Sequence, residues 1–124
     1  MTMVFMGNLL MWMLPFYRVE FPVDLMPNDF TYIEYEHGRV VGKQAIKNND
    51  ETYIALKKLI VEEKKDWEYD LTTYAPNRLF NSPKMKVNCL NNALVVNYED
   101  RDKEWVQISK KVTKGSCPVV HLEK

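Results

Sequence analysis

The sequence lacks the short motifs that mark the common catalytic centres. It contains no GxSxG nucleophile elbow, no Walker phosphate loop, no HExxH zinc motif and no CxxC pair. Histidine is also scarce, with His37 in a predicted turn and His121 near the C-terminus. These absences favour a protein without enzymatic activity, and we expect neither a cofactor nor a metal ion.

An excess of charge of one sign is missing as well. Lysine and arginine together number 17, and aspartate and glutamate together also number 17. A balanced chain lacks the basic surplus typical of proteins that bind nucleic-acid backbones. Aromatic residues make up 12% of the 124 residues, which argues against disorder over most of the chain. The composition therefore predicts one globular domain with no nucleic-acid partner.

The first segment of the chain, residues 1–17, carries no charged side chain and holds five of the seven methionines. Its apolar part, residues 9–17, has the length of a secretory h-region, about 7–15 residues. A membrane span needs about 20 apolar residues, and Gly7, Asn8 and Pro15 interrupt this stretch. Three interpretations follow: a signal peptide or signal anchor, a first core strand, or a span. We expect a periplasmic or secreted protein, with a cytoplasmic one as the alternative and membrane contact limited to this segment.

The only two cysteines bear on the same question. In an oxidising compartment Cys89 and Cys117 would often pair as a disulfide. In the cytosol both would more often be inert, buried thiols. Both alternatives stay open because the sequence does not give the distance between them.

Proline and turn signals divide the remainder of the chain. Residues 18–29 contain Pro22 and Pro27, which cannot donate to a strand ladder, so this stretch is predicted to be an extended linker. Residues 30–124 are predicted to form a single domain. Strands are predicted, from β-propensity, alternation and turn residues, at 30–36, 39–46, 67–75, 84–90, 93–99 and 104–112.

A single helix is predicted after residues 47–50. Tyr53, Leu56, Leu59 and Ile60 recur at a period of 3.6 residues and would form one apolar face. Strands grouped before and after one helix indicate an α+β fold with an antiparallel sheet. We predict about five to six strands, ending in a C-terminal meander, with the amphipathic helix packed on one face.

The hairpin at 84–99 is the best-determined piece. Asparagine tolerates positive φ, so Asn91-Asn92 suits a two-residue turn that places Val87 opposite Val96. A four-residue loop at 100–103 would next place Trp105 opposite Tyr98 and turn Ile108 towards the polar face. A bulge or a loop of odd length would restore the match, and the sequence does not decide between them.

The loop at 76–83 is the predicted partner-binding site, together with Tyr74. It presents Arg78, Leu79 and Phe80 between two prolines. Tyrosine and arginine are enriched in binding hot spots, and prolines reduce the entropy lost when a loop is ordered. The alternative is that Leu79 and Phe80 enter the core and cap the sheet.

Three functions are compatible with these features. The first is a small exported protein that occludes or sequesters a protein partner, as immunity proteins and inhibitors do. The second is a cytosolic structural or regulatory module, such as a homodimer formed through a sheet edge. The third is a small hydrolase that uses Glu34, Glu36 or Asp70, since paired carboxylates perform acid–base chemistry.

Overall fold

The computed structural model describes residues 18–122 and shows an α+β domain. Its elements are β1 (Arg18–Val19), β2 (Asp29–Glu36), β3 (Arg39–Lys47), α1 (Glu51–Glu62), β4 (Trp67–Tyr69), β5 (Arg78–Asn81), β6 (Met85–Cys89), β7 (Ala93–Glu99) and β8 (Trp105–Lys111). All neighbouring strands are antiparallel, in the order β1-β4-β8-β7-β6-β5-β2-β3. The predicted fold class is confirmed. The predicted count of five to six strands is wrong, because the sheet has eight.

The two extra strands arise where the sequence carries proline. β1 lies in the stretch predicted to be a linker, and β5 lies in the stretch predicted to be a loop. Both are short, with two and four residues, and both avoid the prolines themselves. β1 pairs with β4 and β5 pairs with β2, which are distant in the chain, although β5 also forms a hairpin with the adjacent β6. Local sequence patterns do not reveal the distant pairings.

One face of the sheet, called the inner face, carries the hydrophobic core. Side chains alternate along a strand, so every second residue of each strand points to this face. Its buried members on the strands include Phe30, Tyr32, Ile46, Trp67, Phe80, Met85, Val87, Leu94, Val96, Tyr98 and Ile108. The opposite face, called the outer face, carries Ser109, Gln107, Asn88 and Asn81 from the same strands.

The helix α1 covers part of the inner face. Tyr53, Leu56 and Ile60 are buried, as the 3.6-residue period predicts. The Tyr53 hydroxyl donates to the carbonyl oxygen of Pro27 at 2.6 Å. Asp50 is the N-cap by position, but its carboxylate accepts from the Lys47 amide at 2.8 Å and makes no capping hydrogen bond.

The segment 18–29, predicted to be an extended linker, packs against the same core. Phe21 is 2% exposed, and its ring centroid lies 5.2 Å from that of Trp67. The Phe21 amide donates to the carbonyl of Lys64 at 2.7 Å. This stretch is therefore an integral part of the domain. Residues 1–17, with their predicted leader, lie outside the described residues.

The C-terminal segment closes the remaining part of the inner face. Cys117 is bonded to Cys89 of β6, and Val120 is 8% exposed within the core cluster. Leu122 packs so closely on Gly42 that a Cβ at that position would overlap it. The β2–β3 ladder shifts register beside Gly42, as it does at a β-bulge.

The meander β6–β7–β8 resolves the register left open by the sequence. Val87 lies opposite Val96, as the Asn91-Asn92 turn predicts. The next loop spans residues 100–104, which is an odd number, and pairs Glu99 with Trp105. Ile108 consequently faces the core, whereas Trp105 points to the outer face.

Candidate functional site

Residues 70–77, called the strap, cross the outer face of the sheet. They connect β4 to β5, which are separated in the sheet by β8, β7 and β6. The Gln107 amide donates to the carbonyls of Asp70 and Thr72 at 2.8 and 2.7 Å. The side chain of Asn88 accepts a hydrogen bond from the backbone N–H of Asn77 at 3.0 Å and donates one to the backbone carbonyl of Ala75 at 3.1 Å. The predicted strand 67–75 therefore ends at residue 69, where the chain leaves the ladder.

Asp70 fixes the start of the strap. Its carboxylate accepts hydrogen bonds from the Tyr74 hydroxyl at 2.5 Å, the Ser109 hydroxyl at 2.7 Å and the Thr72 amide at 2.8 Å. Partial burial opposes ionisation, but these hydrogen bonds outweigh it and hold the pKa of Asp70 below its ordinary value. The hydrogen bond from Tyr74 to Asp70 therefore stabilises the conformation of the strap.

The three carboxylates proposed for a hydrolase do not all lie on one face of the sheet. Glu34 accepts from the buried Tyr32 hydroxyl at 2.7 Å on the inner face. Asp70 lies on the outer face, and Glu36 is exposed beside the β2–β3 turn. Glycosidase chemistry needs two carboxyl groups about 5–9.5 Å apart around one bond, with one pKa raised. Asp70 does not form such a pair with Glu34, because their carboxylates lie on opposite faces of the sheet.

The other predicted contact residues lie in β5, between β2 and β6. Phe80 is fully buried and lies 5.1 Å from the ring of Tyr32. Arg78 donates from Nε to the Tyr32 hydroxyl at 3.1 Å and from a terminal nitrogen to the Pro118 carbonyl. Leu79 is half-buried on the outer face. The predicted loop is thus a sheet strand here, and a partner cannot reach Phe80 on the folded domain.

Tyr32 is the centre of this internal network. Burial and the hydrogen bond to Glu34 raise the pKa of the Tyr32 phenol above its ordinary value. Through Arg78 the network reaches Pro118, one residue beyond the disulfide. Arg78 therefore holds the C-terminal segment to the sheet, which is a structural role.

The outer face beyond the strap is open and forms what we call the outer groove. It has a volume of about 410 Å³ and lies between β2, β5, β6 and β8. Its lining includes Asp29, Thr31, Asn81, Pro83, Lys86 and Trp105. The indole of Trp105 is half-exposed, at 51%. Sequence reasoning missed this surface because a four-residue loop would have sent Trp105 to the core side, and only the true loop length reveals it.

The last exposed feature is the outer side of β3, called the β3 edge. Among the described strands β3 pairs only with β2, and it is nine residues long. Val40 and Val41 are 49% and 50% exposed beside the bulge. The opposite edge, β1, has only two residues. The sequence predicted this strand, but its position at the edge depends on the whole topology.

The described residues contain neither a metal-binding cluster nor a membrane-spanning helix, and the comparisons identify no relative. Residues 18–122 contain no group of three or more side chains that could hold a metal ion. Within the same residues, no helix has both the length and the apolar character required to cross a bilayer. No family model matches the chain, and comparisons with curated proteins and with solved structures find no similar protein.

Proposed function

We propose that this protein is an exported, non-enzymatic domain that occludes or sequesters a protein partner through the β3 edge. The observation that carries the proposal is a long edge strand with two adjacent, half-exposed valines. An edge strand offers unpaired amides and carbonyls, to which an extended segment of a partner can add as a further strand. Natural proteins usually shorten or cover such edges, whereas β3 is nine residues long and no other described strand covers its outer side.

The charges on β3 indicate the kind of partner. Arg39, Lys43 and Lys47 are basic and exposed, and β3 itself carries no acidic residue. An antiparallel pairing of two copies centred on Lys43 would place it opposite itself and Arg39 opposite Lys47. Like charges directly opposite each other are destabilising, whereas an acidic strand would be attracted. A homodimer in this register is therefore disfavoured, and the basic edge suits an acidic segment of another protein.

The disulfide supports the exported location. Structural disulfides persist in oxidising compartments and are rare in the reducing cytosol. Cys89 and Cys117 are both buried, at 1% and 7% exposure, and their bond holds the C-terminal segment on the core. The apolar stretch of residues 9–17, which has the length of a secretory h-region, points the same way.

The test compares two pairs of substitutions with matched chemistry. Val40→Glu with Val41→Glu adds negative charge to the β3 edge, which repels an acidic segment, and removes its apolar surface. Ile54→Glu with Val61→Glu does the same on the exposed side of α1, where these residues are 55% and 41% exposed. Each tagged protein is expressed in the native host, and captured proteins are quantified by mass spectrometry.

We expect one acidic partner to be recovered by the wild type and by the helix variant but lost by the edge variant. Circular dichroism must show that both variants stay folded. Equal recovery by the two variants would refute the role of the β3 edge. Export is tested separately by the intact mass of the native protein, which should be about 2 kDa lower if a leader that ends before β1 is removed; a full-length cytosolic product would refute it.

A further inference from the structure

We propose that the outer groove binds a neutral oligosaccharide. The groove lies on the outer face of the sheet and is distinct from the β3 edge, so this inference goes beyond the protein-binding proposal and does not depend on it. It is carried by an exposed indole, a buried oxygen that lacks a hydrogen-bond partner, and a nearly balanced set of charges.

Trp105 supplies an apolar platform at one end of the groove. Its side chain projects from β8 onto the outer face and lines the groove with residues of β6, β5 and β2. Sugar rings have one face made of C–H groups with partial positive charge. Such a face is attracted to the negative face of an aromatic ring and is desolvated at little cost. A half-exposed tryptophan on the outer face of the sheet therefore suits a sugar ring.

Asn81 supplies an unsatisfied polar group in the groove. Its Oδ1 atom is buried and accepts no hydrogen bond from any described residue. Buried polar atoms are normally paired, and an unpaired one costs about 1–3 kcal/mol. A rotation of the Asn81 side chain that turns this oxygen towards the groove would let a sugar hydroxyl donate to it, and the amide nitrogen could then donate to a second hydroxyl. The Thr31 hydroxyl and the Lys86 ammonium, also in the lining, extend the set of partners for hydroxyl groups.

Charge and dimensions narrow the ligand further. The lining has one basic residue, Lys86, and one acidic residue, Asp29. The carboxylate of Asp29 also lies 3.7 Å from the Lys47 ammonium. A phosphate-rich or strongly acidic polymer would need more basic groups. From β8 to β2 the groove crosses four strand spacings, about 19 Å. A short chain of neutral sugars fits this length better than a single ring does.

The experiment uses chitotetraose, cellotetraose and maltotetraose as probes. Each is titrated into the ¹⁵N-labelled protein up to about 10 mM, a range that detects weak binding. We expect the indole N–H signal of Trp105 to shift with at least one tetrasaccharide, with Kd near or below about 1 mM. The indole of Trp67, which is buried and donates to the Glu63 carbonyl at 2.7 Å, is the internal control and should stay in place.

Variants then test the two groups that carry the inference. Trp105→Ala should weaken binding about tenfold or more, whereas Trp105→Phe should retain most of it because a ring remains. Asn81→Leu should also weaken binding without lowering stability, since it removes the unpaired oxygen. Leu71→Ala, at a fully exposed position of the strap, is the matched control and should bind like the wild type.

Three results would overturn the inference. The first is the absence of any Trp105 shift with all three tetrasaccharides. The second is unchanged affinity in Trp105→Ala. The third is a shift produced only by an acidic peptide or by an octathymidylate, which would assign the groove to a different class of ligand.

Discussion

Loss of the Cys89–Cys117 disulfide should lower the free energy of unfolding by about 3.6 kcal/mol at 25 °C. The bond joins residues 28 positions apart. In the chain-entropy treatment, closing a loop of that length lowers the conformational entropy of the unfolded chain, and this entropy difference corresponds to that free energy at 25 °C. The stability of a domain is about 5–15 kcal/mol in total, so the loss is a large share of it.

The structure also indicates which segment unfolds first when the disulfide is broken. The bond ties the C-terminal segment to β6, and the other contacts of that segment are modest. The Val112 amide donates to the Asn92 carbonyl at 2.9 Å, Arg78 donates to Pro118, and Val120 is buried. We therefore expect amides after residue 112 to lose protection from hydrogen exchange before the strands do.

The assay is urea unfolding followed by circular dichroism, with linear extrapolation. Three samples separate the contributions: the oxidised wild type, the reduced wild type, and Cys89→Ala with Cys117→Ala. The reduced wild type keeps both sulfur atoms, so its difference from the oxidised protein isolates the crosslink. A difference below about 1 kcal/mol would refute the loop-entropy reasoning and show that packing alone holds the C-terminal segment.

Three further predictions test the core, the strap and the N-terminal segment. Phe80→Ala should cost about 3–5 kcal/mol in urea unfolding because the ring is fully buried, and a loss under about 1 kcal/mol would place Phe80 outside the core. Asp70→Asn should be destabilising at neutral pH, because the pKa of Asp70 is lowered in the folded state. The contribution of the Asp70 carboxylate to the free energy of unfolding is therefore present above the ordinary pKa of 3.8 and is lost as pH falls through the folded-state pKa. The difference between wild type and Asp70→Asn should thus shrink between pH 7 and pH 2, and a constant difference would contradict it. Tyr53→Phe should cost about 0.5–1.5 kcal/mol in the same assay, since it removes the hydrogen bond to Pro27, and no change would show that this bond does not hold the segment.

The sequence predicted those parts of the fold that local chemistry determines. The β6–β7 hairpin is confirmed in register because Asn91-Asn92 selects a two-residue turn and both strands alternate apolar and polar residues. The β2–β3 hairpin is confirmed for a similar reason, since His37 and Gly38 have φ of 52° and 77°, which a primed turn requires. The apolar face of α1 follows from its period.

The parts that the sequence did not reveal depend on contacts between distant segments. β5 is a strand because β2 and β6 flank it, and four residues between prolines carry no signal of that position. The strap is extended because Asn88 and Gln107 hold its backbone, and neither residue predicts this alone. The position of Trp105 depended on one residue of loop length, since a shift of one exchanges the two faces of a strand.

The two proposed binding surfaces are neighbours, and the size of their coupling can be argued from one contact. Lys47 on the β3 edge and Asp29 in the outer groove are 3.7 Å apart, so a partner that engages Lys47 would affect the charge of the groove. Both side chains are more than 60% exposed, at 64% and 63%, and water screens such a pair to about 0–1 kcal/mol. A neutral sugar that stacks on Trp105, about four strands away from β2, gains little from that charge. The energy available for coupling is therefore small, and the affinities of the two surfaces should be nearly independent. Strong mutual exclusion between a captured protein and a tetrasaccharide would instead mean that the partner covers the outer face itself, and the β3 edge would then be only the border of one larger interface.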